Sequence, residues 1–461
     1  METGRIMSSN LEMAENCREE IRRRLEGLVS IPSVLGEAEP DAPFGKGPRD
    51  VLQKALQYLD EDGFRTVNLD NYAGYAEIGE GSEVIGVVGH LDVVPAKLSD
   101  GWTSDPFTLT ERDGKLYGRG VSDDKGAVVA SMMALRILRD KGVPMHKRVR
   151  LIMGTNEESG SKGLAYYVKK EGSVDYGFTP DAEFPLVYGE KGLIGAVYRS
   201  KNTKIRDIEG GTVTNIVCKS CMIELDKCSF SRKALEDYFN NNDLPYTMED
   251  IENNGVRITV TGRAAHASTP ELGRNAISYL MDALRTAGCQ DPFVQFYCDH
   301  FGLETDGKTA GVYCEDAYGK LTLNNGVITM KDGVIEGTID IRYPVTFTSA
   351  QVIRKWKDHM EDDNGIIEVK STVEPLFYPT DSPLVSSLMA AYREATGDKE
   401  AQPLVIGGGT YAKEIDNTVA FGCAFPGRDY RIHNVDEWVT MDELVRQTAI
   451  YVTALEKLLS I

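Results

Sequence analysis

The stretch Val87-Val88-Gly89-His90-Leu91-Asp92-Val93-Val94-Pro95 decides how this chain is read. Residues 84–88 form a short, mostly β-branched apolar run, and glycine and proline bound it, as expected of a buried central strand. His90 then falls at the C-terminal end of that strand. Open α/β sheets collect ligands outside those ends, so the position suits a site residue as well as a packing one. Asp92 follows at i+2, on the same side as His90 if the pleat persists, where a carboxylate can orient an imidazole.

Working outward, nearly every residue over 127–138 is apolar or small, which predicts a helix buried beneath His90. Residues 149–153 read as another buried strand and 164–170 as a helix. Upstream, Cys17, Ile21, Leu25 and Leu28 recur at helical spacing, and Val51, Ala55, Leu56 and Leu59 mark a second helix that ends near Gly63. A strand is expected over 73–78. The middle of the chain has another texture. Strand-like runs there carry turn pairs, Asn325-Gly326 within 321–330 and Asp332-Gly333 before 334–341, with helical patterns at 234–240 and 276–284. Beyond Pro375 the helical reading returns. Ser382 is its cap, Pro383 its first residue and Gly397 its end, and Thr440-Met441-Asp442-Glu443 is a capping box before the stripe Leu444, Tyr451, Leu455 and Leu458. A chain of 461 residues is too long for one compact core. The expected fold is two-domain α/β. A mostly parallel-sheet catalytic domain over 1–189 and 376–461 is interrupted by an inserted α+β lid domain over 190–375.

With 51 basic and 71 acidic residues the net charge is -20, and no basic stripe is visible. Nucleic acid and anionic membranes are therefore not expected partners. The opening residues include Glu2, Arg5, Glu12 and Glu15 without an apolar segment, and no later run reaches membrane-spanning length, so a cytoplasmic protein is expected. Eight cysteines then read as reduced thiols. Cys218, Cys221 and Cys228 offer thiolates for zinc, but no paired second motif follows.

Chemistry concentrates in the turns that follow apolar strands. Tyr117-Gly118-Arg119-Gly120-Val121-Ser122-Asp123-Asp124-Lys125-Gly126 delivers two adjacent carboxylates to the start of the buried helix, where acids also stabilise the positive helix end. Gly154-Thr155-Asn156-Glu157-Glu158-Ser159-Gly160 brings a second pair, and Thr179-Pro180-Asp181-Ala182-Glu183 a third acidic turn. Arg431-Ile432-His433-Asn434-Val435-Asp436-Glu437 adds a histidine in a loop. Singly, each reads equally well as a solvated loop. Together they suit two divalent metal ions, which need a bridging carboxylate, terminal ligands and a spare carboxylate to move a water proton. A site of His, Asp and Glu without thiolate suits Zn2+ or Mn2+.

These motifs, with Pro180-Asp181-Ala182-Glu183-Phe184-Pro185, Ala265-His266-Ala267-Ser268 and Gly407-Gly408-Gly409-Thr410-Tyr411-Ala412, make the chain resemble metallopeptidases of the M20 family. Within it the likeness is to bacterial dipeptidases of the PepV and Sapep type, over nearly the whole chain. The resemblance implies that His90, Asp123 and Asp181 bind one ion and that Asp123, Glu158 and His433 bind the other, with Asp123 as the bridge. It makes Glu157 the general base, Asp92 the support of His90, and Asp123-Asp124 the peptide that is cis in relatives. In the lid it assigns His266 to the tetrahedral oxyanion and Arg342 and Asn215 to the substrate. Gly409 and Thr410 belong to a glycine loop that opens a predicted helix, whose free N–H groups would receive a carboxylate. The expected activity is hydrolysis of dipeptides with a free C-terminal carboxylate. The large insert implies a monomer that closes its own site. A related N-acyl-amino-acid amidohydrolase, deacylase or carboxypeptidase, and a metal-binding protein without catalysis, are the alternatives.

Overall fold

The computed structural model describes residues 2–360 and 366–461. These form two compact units. One comprises residues 1–189, 378–404 and 409–461, and the other residues 190–377 and 405–408.

The first unit is built on a mixed sheet. Its strands run in the order Arg65–Leu69, Ala73–Ile78, Arg148–Gly154, Val84–His90, Tyr176–Thr179, Thr418–Ala420 and Val187–Glu190. Val84–His90 pairs in parallel with Arg148–Gly154 and Tyr176–Thr179, and Tyr176–Thr179 pairs in parallel with Thr418–Ala420. The outer pairings are antiparallel. The parallel part is thus the centre of the sheet, where strands buried on both faces read as continuous apolar runs. Every residue of Val84–His90 is buried. His90 lies opposite Gly154, so the turns after these strands leave from one edge of the sheet.

The helix Lys125–Asp140 lies beneath the central strand, with Ala127, Val128, Met132, Leu135 and Leu138 buried. Gly89 permits this approach. A Cβ there would come within 2.7 Å of both Val128 Cγ2 and Asp124 Oδ2. The C-terminal helix Met441–Leu459 starts at the expected capping box, with Thr440 and Glu443 each bonding the other's backbone. Such a cap stabilises a helix by about 1 kcal/mol. The helix Glu2–Glu15 is one the sequence analysis does not anticipate. It is held in part by a buried polar contact, Asn10 Nδ2 donating to Thr453 Oγ1 at 3.1 Å.

In the second unit the strand pairings of the main sheet are antiparallel among the described residues, in the order Tyr246–Ile251, Gly255–Thr261, Ser220–Asp226, Asp207–Gly210, Ile328–Lys331, Val334–Tyr343, Gly192–Ser200 and Ile366–Val373. Helices Arg232–Asn241, Ala276–Thr286 and Pro292–His300 pack over it through Leu235, Phe239, Leu280 and Phe293. Asp332 and Gly333, at φ 51° and 70°, make the tight hairpin turn their sequence predicts. Asn325-Gly326 does not reverse the chain. Thr322–Asn324 and Ile328–Lys331 both pair with Val334–Tyr343, so 321–330 is one interrupted strand path. Glycine is needed at 326 because Thr214 O lies 2.3 Å from where a Cβ would stand.

Candidate active site

His90 is the last residue of its strand, and its ring is wholly buried. Nδ1 donates to the main-chain carbonyl of Asp92 at 3.0 Å, which turns Nε2 toward the acidic cluster. Nε2 stands 2.9 Å from Asp123 Oδ1 and 3.7 Å from Asp181 Oδ2. The carboxylate of Asp92 is farther from the ring, at 3.6 Å. The pleat stops at His90, so the i+2 side chain does not stay beside it. Instead Asp92 Oδ1 accepts from the Glu157 N–H at 2.9 Å and Oδ2 from the Glu158 N–H at 3.1 Å. Asp92 therefore orients the imidazole through its backbone and the glutamate turn through its side chain.

Asp123 has a histidine at each oxygen. Oδ1 faces His90, and Oδ2 is 2.9 Å from His433 Nε2, which is also 3.1 Å from Glu158 Oε2. The peptide Asp123-Asp124 is cis. Asp124 turns inward and accepts from the His90 N–H at 3.1 Å, fixing the end of the strand. Two donor groups result, His90 with Asp123 and Glu158, and His90 with Glu157 and Asp181, the ligand atoms of each lying within 4.8 Å of one another. A cation about 2.0–2.2 Å from tetrahedral N and O donors spaces them about 3.3 to 3.6 Å apart. The observed 2.9 to 3.7 Å brackets that range. The residues present fit divalent cations.

Electrostatics points the same way. Burial disfavours charge on His90, but hydrogen bonds to Asp123 and Asp92 outweigh it and hold the imidazole well above its usual range. Burial likewise opposes charge on His433, yet Asp123 and Glu158 push it up to about 10. Asp123 resists burial through both histidines and stays well below the carboxylate range. Burial, with the charge of Asp123, pushes Asp181 up to about 7, and burial raises Glu157 well above its ordinary value. Without added positive charge this cluster retains protons, and cations would displace them.

The second unit holds the other candidates on its own scaffold. Asn215 O accepts from the Ala267 N–H at 2.9 Å, and Ile216 bridges His266, whose Nδ1 lies 2.7 Å from Ser268 Oγ. Thr322, across the strand from Arg342, donates to Ala267 O at 3.2 Å. Arg342 is buried. Its Nε and Nη2 donate to Asp340 at 3.0 and 3.3 Å, and Nη1 donates to Gly407 O at 2.7 Å. One face of its fork is thus occupied by Asp340, and only outer N–H groups remain for a substrate. In the first unit, the helix expected after Gly409 and Thr410 is a single turn, Tyr411–Lys413. Thr410 Oγ1 accepts from the Ala412 N–H at 3.1 Å, so the loop caps itself rather than opening a long helix toward an anion.

Other residues around the centre carried no role in the sequence reading. Glu437 is wholly buried against the Asp123 loop. Burial pulls Lys125 down to about 7, and its ammonium donates to Leu28 O and Ile31 O at 2.9 and 3.0 Å, tying the helix start to an earlier helix end. Tyr411 stacks edge-on to His90, with ring centroids 6.1 Å apart. The available signal was their position inside the acidic and glycine motifs.

Residues 86–457 match Peptidase family M20/M25/M40. The chain is 38% identical over 458 residues to YtjP of Bacillus subtilis, provisionally named a dipeptidase, covering 96% of this chain and 97% of that one. It is 31% identical to the Beta-Ala-Xaa dipeptidase of Lactobacillus delbrueckii subsp. lactis, covering 97% of each. Human carnosine dipeptidase 1 has a similar fold, with a TM-score of 0.61 at 19% identity over 99% of each chain.

Proposed function

We propose that this chain, which belongs to peptidase family M20/M25/M40 and is a peptide hydrolase, is a dipeptidase that works with two divalent cations. One observation carries the proposal. The two oxygens of Asp123 face His90 and His433 at 2.9 Å each, an arrangement that suits a carboxylate shared by two ions. His90 and Asp181 would complete one position, and Glu158 and His433 the other. Zn2+ or Mn2+ bound there would act as Lewis acids on the peptide carbonyl and lower the pKa of water.

The remaining work falls to the chain. Glu157 stands among the donor atoms on a turn fixed by the Asp92 carboxylate, and burial raises its affinity for a proton. It takes the proton of the attacking water and returns it to the leaving amine. Through its carbonyl Asp92 engages Nδ1, so that Nε2 is the nitrogen His90 turns to the centre, where a cation would displace its proton. In this reading His266 supports the oxyanion, and Arg342 and Asn215 contact the substrate. Dipeptides as substrates rest on the names of the relatives at 38% and 31% identity. Among the described residues no helix is long and apolar enough to cross a membrane, and all eight cysteines are free thiols. Both features agree with a cytoplasmic enzyme, which we take to act as a monomer.

The test is hydrolysis of a dipeptide library, N-acyl amino acids and longer peptides by chelator-stripped protein with and without Zn2+ or Mn2+. Cation-dependent cleavage confined to free dipeptides is expected. Preference for N-acyl amino acids would replace the reading with an amidohydrolase, and no cleavage in any arm would remove it.

A further inference from the structure

His433 reaches its position on constrained backbone. Arg431, His433 and Asp436 all adopt left-handed conformations, with φ of 58°, 61° and 56°. Residues other than glycine populate that region sparingly and stay there only where neighbouring contacts over-determine them. Here those contacts come from the two acids that end the loop. Asp436 accepts from the Thr103 N–H at 2.9 Å and from the Thr103 hydroxyl at 2.6 Å. Glu437 is fully buried, and both of its oxygens are used. Oε2 accepts from Arg119 Nη1 at 2.7 Å and the Gly120 N–H at 3.1 Å, while Oε1 accepts from the N–H groups of Ser122 at 2.9 Å and Asp123 at 3.2 Å.

The arrangement is a clasp between two distant segments. Glu437 grips the main chain of Asp123, 314 residues earlier, and its own backbone runs directly from the His433 loop. Arg119 Nη2 donates to Asn434 O at 3.3 Å from the other side, and Ser122 Oγ donates to Trp438 O at 2.7 Å. Trp438–Val439 pairs with Lys115–Tyr117, which anchors both segments beyond the clasp. Only a carboxylate can accept on both sides, because an amide would turn a donor toward one pair of donors. Positions of this kind behind metal ligands set how well the ligands are aimed.

We propose that Glu437 is a positioning residue that fixes the spacing of the Asp123 carboxylate and the His433 imidazole. It thereby sets the affinity of the cation position formed by Asp123, Glu158 and His433. The inference rests on the two-cation reading above. The position formed with His90 and Asp181 depends on it less, because His90 is held by its own strand and by Asp92 and Asp124.

The experiment is calorimetric titration of Mn2+ into metal-free full-length protein, with folding checked by circular dichroism. Glu437→Gln should weaken one of two binding steps by about 10- to 100-fold and leave the other within about threefold. In His433→Ala, where that step is already lost, adding Glu437→Gln should change the remaining step by less than about threefold. If Glu437→Gln does not fold, Arg119→Lys retains the charge without the fork and should weaken the same step by several-fold. Parent-like isotherms in a folded Glu437→Gln or in Arg119→Lys, or equal weakening of both steps, overturn the inference alone. A parent that takes up fewer than two Mn2+ overturns the functional reading and this inference with it.

Discussion

The two units hold their candidate residues in opposite electrostatic conditions. In the first, Asp123, Glu157, Glu158 and Asp181 crowd around His90 and His433, and the cluster keeps protons that such groups would otherwise release. In the second, Arg342 has Asp340 and Gly407 as partners, and His266 lies against Ser268. A crowded cluster is completed by cations from outside. A set with local partners is already stable and can only lend part of its bonding capacity to a substrate. Substitutions in the first unit should therefore cost more than those in the second.

Four measurements sharpen or break that contrast. Glu157→Gln removes the proton carrier and should lower kcat by about 10² to 10⁴, with cation content unchanged. Loss of one cation in this variant would make Glu157 a ligand, a role its place beside His90 and Asp181 also permits. His266→Ala should lower kcat by about 10² to 10³ while cations stay bound, as loss of an oxyanion donor does. An unchanged kcat would leave the second unit without a part in the chemistry. Arg342→Ala should cut kcat/KM for a free dipeptide by about 10- to 100-fold. It should also abolish the parent's discrimination against the same dipeptide with a C-terminal amide. Equal discrimination in parent and variant would mean that the outer N–H groups of Arg342 do not read the carboxylate.

The smallest effect is in pH dependence. In the cation-free protein His433 rises from its usual value near 6.5 to about 10, so the stability it contributes is complete below pH 6.5 and fades as pH rises toward 10. Asp181, raised from 3.8 to about 7, gives a loss of the same sign between pH 4 and 7. Bound cations would take over the role of those protons. The rise in Tm on adding Mn2+ should therefore be several degrees larger at pH 8.5 than at pH 6, and calorimetry in buffers of differing ionisation enthalpy should show proton release on uptake. An equal Tm rise at both pH values would mean that the protons and the cations do not share these groups.

Legibility in the sequence followed how local each signal is. The helix Lys125–Asp140 was visible because burial on nearly every side leaves an unbroken small and apolar run. The acidic turns of Glu157 and Asp181 were visible because each follows a buried strand, and that of Asp123 because it leads into the buried helix. Asp92 was only half readable, since its distance from His90 along the chain does not tell that the pleat ends between them. Glu437 showed only as the last acid of the His433 motif, and its role did not, because its partners are chiefly main-chain N–H groups more than 300 residues away. Asn325-Gly326 has the composition of a hairpin turn, yet the glycine serves a close approach of Thr214. Arg342 was legible as a charge on a strand, but its pairing with Asp340 depends on side chains two residues apart turning to one another.

The central claim is that one carboxylate, Asp123, joins two cation positions. Elemental analysis of folded parent and Asp123→Ala protein, each stripped and reloaded with Mn2+ or Zn2+, tests it most directly. Two ions per chain are expected in the parent and loss of both in the variant, because neither histidine keeps its shared anionic partner. One ion retained in full by Asp123→Ala, or a single ion in the parent, would contradict it.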